Sequence, residues 1–256
     1  RIAGTWTQQA YVKASDSLSN HAFGSALALS AAGDTLAVGA PGNVTTGWVY
    51  VFSRSAATWS QQAQLAATVR NLGDAFGRSV ALSADGNVLV AGATGEDSAT
   101  GNPSDNTQRA AGAAYVFRRG GAAWTQEAYL KASNIAASSG FGMSVAISQD
   151  ASTIAVGAPF ERSAATGVDG SQADGGLASA GAAYVFARVG AAWTPQAYVK
   201  ASNTEANDVF GDRVALSADG NVLVVSAPQE RSNATGFNGD QANNARMVRA
   251  TYVFGR

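Results

Sequence analysis

Apolar residues along this chain come in short runs broken by Gly, Asn, Asp and Ser, and no stretch keeps a convincing 3.6-residue period. Ser79-Val-Ala-Leu-Ser83, Asn87-Val-Leu-Val-Ala-Gly-Ala93 and Ala113-Ala-Tyr-Val-Phe117 are typical, and they read as β-strands. Asp85-Gly86-Asn87 separates the first two. Equivalent places hold Asp219-Gly220-Asn221, Ala32-Gly33-Asp34 and Asp150-Ala151-Ser152. Asp-Gly between apolar runs predicts a hairpin, because tight turns of the favoured twist need positive φ.

The pattern repeats four times. Trp6, Trp59, Trp124 and Trp193 each open a segment such as WTQQAYVKAS, and a Phe-Gly follows each 17 residues on, at Phe23, Phe76, Phe141 and Phe210. A Gly-Ala-Pro-like tripeptide ends 18 residues after each phenylalanine, at Pro41, Thr94, Pro159 and Pro228. Tyr-Val-Phe follows at Tyr50, Tyr115, Tyr184 and Tyr252, the first three standing 9 residues before the next tryptophan. Only the step from the tripeptide to the tyrosine varies, over 9, 21, 25 and 24 residues. Constant spacing marks a scaffold whose register cannot slip without turning core side chains outward, and the variable step marks a surface loop. Four strands per repeat and four repeats predict an all-β β-propeller of four-stranded antiparallel blades.

Phe23-Gly24 with Gly39-Ala40-Pro41 and Phe141-Gly142 with Gly157-Ala158-Pro159 are full matches to a two-part signature; Gly92-Ala93-Thr94 and Ser226-Ala227-Pro228 are one-residue variants. On these motifs the sequence resembles the FG-GAP repeat family, the units of the integrin-type β-propeller, and in particular its bacterial branch found as tandem modules of secreted or surface proteins. The resemblance covers essentially the whole chain. It implies a non-catalytic extracellular role in adhesion or structure, with the Phe-Gly strand innermost and the tryptophan strand outermost in each blade. Many relatives carry a D-x-[DN]-x-D-G calcium loop. This sequence has only SADGN or a degenerate form there, and one Asp in a tight turn supplies too few oxygen ligands, so that site is not carried over.

These landmarks predict one domain over 1–256, with blades at about 23–66, 76–132, 141–201 and 210–256 plus an outer strand at 5–15. Trp6 would fall ten residues after Tyr252 if the ends were joined, so the N-terminal strand is expected to close the last blade. Closure within one chain, giving four blades, is the expectation; exchange between two chains, giving an eight-bladed head-to-tail dimer, is the alternative. A fragment of a longer array, or a filament through the terminal strands, is the remaining alternative.

Composition narrows the chemistry. With 17 basic against 18 acidic residues no patch for nucleic acid is expected, and no apolar run reaches the length of a membrane-spanning helix. Nor do the first residues read as a secretory leader. No cysteine and one histidine exclude thiolate sites and multi-histidine metal clusters. His21 is replaced by Asp74, Ser139 and Asp208 in the sister repeats, which predicts a surface residue. No G-x-S-x-G elbow occurs.

Glu96, Glu161 and Glu230 share one position after the Gly-Ala-Pro tripeptide, with Arg162 and Arg231 following two of them. Two readings stand: a repeated salt bridge or cap on loop amides, and a multivalent ligand-binding rim. The long loops are rich in Asn, Asp, Gln, Ser and Gly, which suits glycan or protein ligands. Asp169 with Asp174, and Asn238 with Asp240, are the oxygen ligands offered for calcium; no other cofactor is expected. Lys13, Lys131 and Lys200 read as the solvated face of an edge strand, and Trp48 as filling space beside the one short loop. Asn43-Val44-Thr45 and Asn233-Ala234-Thr235 have the form of glycosylation sequons, expected to be chance in a bacterial protein. The rival to a binding scaffold is a hydrolase or lyase working at the central channel, which a charged channel lining would favour.

Overall fold

The computed structural model describes residues 4–16, 19–42, 45–242 and 249–256. The sequon residues Asn43 and Val44, and the end of the last long loop at 243–248, lie outside them. Fifteen strands and no helix are found among the described residues. Blade 1 holds β1 (Ala26–Leu29), β2 (Thr35–Ala40), β3 (Trp48–Ser55) and β4 (Thr58–Leu65). Blade 2 holds β5 (Phe76–Leu82), β6 (Val88–Ala93), β7 (Ala113–Gly120) and β8 (Ala123–Leu130). Blade 3 holds β9 (Ser144–Ile147), β10 (Thr153–Ala158), β11 (Ala182–Val189) and β12 (Ala192–Val199). Blade 4 has three strands, β13 (Val214–Leu216), β14 (Val222–Ala227) and β15 (Ala250–Gly255). Each sheet is an antiparallel meander in chain order, the architecture of a β-propeller.

The aspartates of the first hairpins are turn formers. Asp85 accepts the Asn87 amide at 3.0 Å, and the Ser83 hydroxyl accepts the Val88 amide at 3.0 Å. Blade 4 repeats this arrangement with Asp219, Asn221 and Ser217. Backbone bonds also join these turns from blade to blade: Ala31 donates to the Ala84 carbonyl, Ala84 to Gln149, and Gln149 to Ala218, at 2.8 to 3.0 Å.

The core lies between blades. Val49, Val51 and Leu65 of blade 1 pack with Phe76, Leu89 and Tyr115 of blade 2, and blades 2 with 3 and 3 with 4 repeat the arrangement. Each Phe-Gly phenylalanine from blade 2 onward is fully buried and meets its own blade's Tyr-Val-Phe edge-on, as Phe76 does Tyr115 at 5.4 Å and Phe117 at 5.8 Å. The glycine after it, Gly77, Gly142 or Gly211, takes φ near +90°. The glycine of the other motif has a different reason. A Cβ on Gly39, Gly92 or Gly157 would stand 2.0 to 2.1 Å from the carbonyl oxygen of Gly77, Gly142 or Gly211 of the next blade. These two glycines therefore set how closely consecutive blades approach.

The expected closure by residues 5–15 is not made. None of the fifteen strands lies in 4–16, and β15 has β14 as its one sheet neighbour among the described residues. The segment instead sits on the outside of blade 1. Trp59 Nε1 donates to Gln9 at 3.3 Å, as Trp124 does to Gln62 at 3.2 Å; the Ser15 amide donates to Gln61 at 3.1 Å, as the Thr68 amide does to Gln126. Those are the contacts an outer strand makes with the following blade. Both ends of the row stay open, with Leu27 66% and Val253 69% exposed.

Candidate functional site

The connections from β2 to β3, β6 to β7, β10 to β11 and β14 to β15 emerge at the same end of every sheet. They form one rim, and its foundation is a set of buried polar groups. Glu96, Glu161 and Glu230 are each 1 to 2% exposed. One oxygen of each accepts the amide two residues on, that of Ser98, Ser163 or Ser232, at 2.9 to 3.1 Å. The other oxygen of Glu96 meets Lys131 Nζ at 2.7 Å, and that of Glu161 meets Lys200 Nζ at 2.8 Å. Lys131 Nζ also donates to the Gly112 carbonyl where the loop ends. The salt-bridge and amide-cap reading is thus the one the geometry carries, and these carboxylates are closed off from a ligand.

The side chains of Lys131 and Lys200 are buried, contrary to the edge-strand expectation. The Lys200 side chain has no exposure and that of Lys131 only 6%, so neither marks a solvated edge. Burial pulls both below the ordinary lysine range, and the adjoining glutamates oppose it. A signal existed in the repeats. Blades 2 and 3 carry both Glu and Lys, whereas blade 1 has Asn43 and Ala66 at the two positions and carries neither. Asn134 and Asn203 extend the network across blades: each donates to the next blade's glutamate, at 2.8 and 2.9 Å, and accepts from its tyrosine, Tyr184 or Tyr252. Asp16 does the same for Tyr50 of blade 1, and that hydrogen bond holds its carboxyl below the usual range.

The loops themselves are stitched. Asp97 accepts the Ala110 amide at 2.6 Å, and Ser98 donates to the carbonyls of Thr100 and Asn102. Asp169 accepts the Tyr198 amide at 2.9 Å while its own amide donates to the Tyr198 carbonyl, so this loop runs along the free edge of β12 and covers it. Asp174 and Asp240 each accept an amide two residues on, from Gly176 and Ala242. Asn238 is exposed at φ 52°. No cluster of three or more His, Asp or Glu suited to a metal occurs among the described residues. Arg162 is exposed and Arg231 half-buried, near Asp208. Trp48 lies under the Arg70 guanidinium, 4.9 Å from its ring centre. The tip of the blade 4 loop holds Phe237, 99% exposed.

The position two residues before each Phe-Gly phenylalanine departs from expectation. His21 is 8% exposed, not a surface residue, and its Nδ1 has no partner. Asp74 and Asp208 are 2% and 1% exposed, each with an unpartnered Oδ1. In blade 3 the equivalent Ser139 donates to the Ala111 carbonyl at 2.9 Å. A carboxylate cannot make that bond; a protonated carboxyl can. Burial, with Glu96 beside Asp74 and Glu230 beside Asp208, pushes both aspartates up to about 6. A folded-state value above the unfolded one adds stability that is complete below about pH 4 and lost as pH rises through about 6. Asp74→Ser and Asp208→Ser should each raise stability at pH 7.5 by about 1 to 2 kcal/mol and flatten its pH dependence between 4 and 7. Urea denaturation across that range checks this; an unchanged slope in both variants refutes it.

Residues in or beside the inner strands of all four blades line a cleft of about 340 Å³. Its walls include Ser25, Leu27, Arg78, Ser79, Ser144 and Arg213. Neither carboxylate nor imidazole is among its lining residues.

A family model described as FG-GAP repeat matches four times, at 6–52, 59–117, 124–186 and 193–254. Among curated proteins none matches. Of solved structures, Kuenenia stuttgartiensis hydrazine synthase is similar at 14% identity and a TM-score of 0.49, over 90% of this chain and 47% of its own. Saccharomyces cerevisiae Sqt1 is similar at 11% identity and a TM-score of 0.46, over 84% of this chain and 44% of its own. The chain spans less than half the length of either structure.

Proposed function

Because the chain belongs to the FG-GAP repeat family, we propose that it is a non-catalytic binding and scaffold module displayed outside the cell, which takes a glycan or protein ligand on the rim of long loops. The observation that carries this reading is the division of each loop into a fixed base and a presented surface. Glu96, Glu161 and Glu230 lock the bases, while the outer parts offer polar side chains and, at Phe237, an aromatic ring with no cover. An exposed aromatic beside Asn and Asp is the combination that stacks on a sugar face and hydrogen-bonds its hydroxyls.

A hydrolase or lyase would work from the central cleft, where its lining of serines, arginines and apolar groups supplies no general acid or base. Calcium would bridge a ligand to Asp174, Asn238 or Asp240, which lie in the long loops of the rim. Glycan-array screening with and without calcium is the test. Binding should appear and fall at least about tenfold in Phe237→Ala, the loss of roughly 1.4 kcal/mol. No retained glycan or protein at millimolar concentration, with or without calcium, would remove the binding role.

A further inference from the structure

Glu230 is the odd member of the buried glutamates. It is 1% exposed and holds the Ser232 amide and Asn203 as its counterparts do, yet no lysine or arginine pairs with it among the described residues. In blades 2 and 3 the pairing lysine stands seven residues after the outer strand's tryptophan, at Lys131 after Trp124 and Lys200 after Trp193. Blade 4 has no such strand. The one lysine left at that repeat position is Lys13, seven residues after Trp6, and it is exposed. A strand with the right ion but no blade, and a blade with the right carboxylate but no strand, are complementary.

We infer that β15 of one copy takes residues 5–15 of a second copy as its outer strand, with the second copy's Lys13 as the counter-ion of Glu230. The register is fixed by the other blades. Tyr50 pairs with Gln64, Tyr115 with Tyr129 and Tyr184 with Tyr198, always five residues past the tryptophan, which sets Tyr252 opposite Tyr11. The pairing would cover Trp6 and Tyr11, 89% and 81% exposed in the single chain. It would also bring Arg256 over Trp6, as Arg54 lies over Trp59 and Arg119 over Trp124.

A second copy, and not the chain's own segment, is the occupant because β15 has no partner but β14 among the described residues while that segment keeps its place on blade 1. The end faces of the row do not meet: Leu27 and Leu29 of blade 1 are 66% and 57% exposed, and Val222 and Val253 of blade 4 are 37% and 69% exposed. Two copies exchanging strands head to tail close symmetrically. Ser226 replaces the close-approach glycine of blade 4, so inner strands stand farther apart at this seam and the outer strand and its ion pair carry the contact.

Size-exclusion chromatography with light scattering on the whole chain tests this. A species of twice 25.8 kDa is expected. Lys13→Ala, at a position exposed in the single chain, should weaken it at least about tenfold, and Lys13→Glu combined with Glu230→Lys should restore part of the loss. Circular dichroism on each variant separates lost association from lost folding. A chain that stays monomeric at about 100 µM, or a dimer that Lys13→Ala leaves intact, overturns the inference.

Discussion

Gly157→Ser should be among the most damaging single substitutions in this protein, although it installs the residue that blade 4 carries at the same place. Its Cβ would lie 2.0 Å from the Gly211 carbonyl oxygen, a backbone atom that no rotamer change can move. Relief requires blades 3 and 4 to separate, which opens the contact among Ala155, Ala183, Phe210 and Val225. Overpacking costs about 1 to 3 kcal/mol where side chains can yield, and a backbone clash belongs at or above the top of that range. A loss of about 3 kcal/mol corresponds to a fall in Tm of roughly 6 to 12 °C for a chain of this size. The reverse change, Ser226→Gly, should cost only about 1 to 2 kcal/mol, the entropic penalty of glycine and the Arg213 amide's bond to the Ser226 hydroxyl, because no following blade presses on it here. Equal melting temperatures for Gly157→Ser and Ser226→Gly would refute the role assigned to the close approach.

Lys200→Met is the second large effect. It leaves the Glu161 carboxylate, nearly without solvent, with only Asn134 and the Ser163 amide. Breaking a buried pair from one side costs about 3 to 5 kcal/mol, since the remaining charge is uncompensated. Adding Glu161→Met should recover a good part of that loss, because removing both ions also removes both desolvation costs. The blade 1 repeat carries neither ion in its sequence, with Asn43 and Ala66 at the equivalent repeat positions. Urea denaturation of the two single variants and the double variant gives the coupling directly; strictly additive losses would mean that the pair is not a unit.

The frame was legible in the sequence because its constraints are periodic. Phe-Gly needs a phenylalanine that fills an inter-blade core and a glycine at positive φ, and the same two demands recur in each blade, so spacing alone located the strands. The Asp-Gly hairpins were legible for the same local reason. What the sequence hid was depth. Lys200 has the composition of a surface strand, and only a partner 39 residues earlier, Glu161, makes its burial tolerable. His21, Asp74 and Asp208 misled in the same way: exchange among His, Asp and Ser suggests solvent, while all three are buried. The strand expected at 5–15 found its neighbour across the junction but not within a sheet, because spacing fixes the register of a strand and not which molecule supplies its partner.

The backbone bonds that pass from Ala31 to Ala84, on to Gln149 and then to Ala218 cross the row of blades one junction at a time. Such links are in series. A force applied along the row is carried in full by every junction, and the weakest gives way first. Strands within a blade, by contrast, share a load across many hydrogen bonds at once. A junction that gives way therefore parts two blades without breaking the hydrogen bonds inside either sheet.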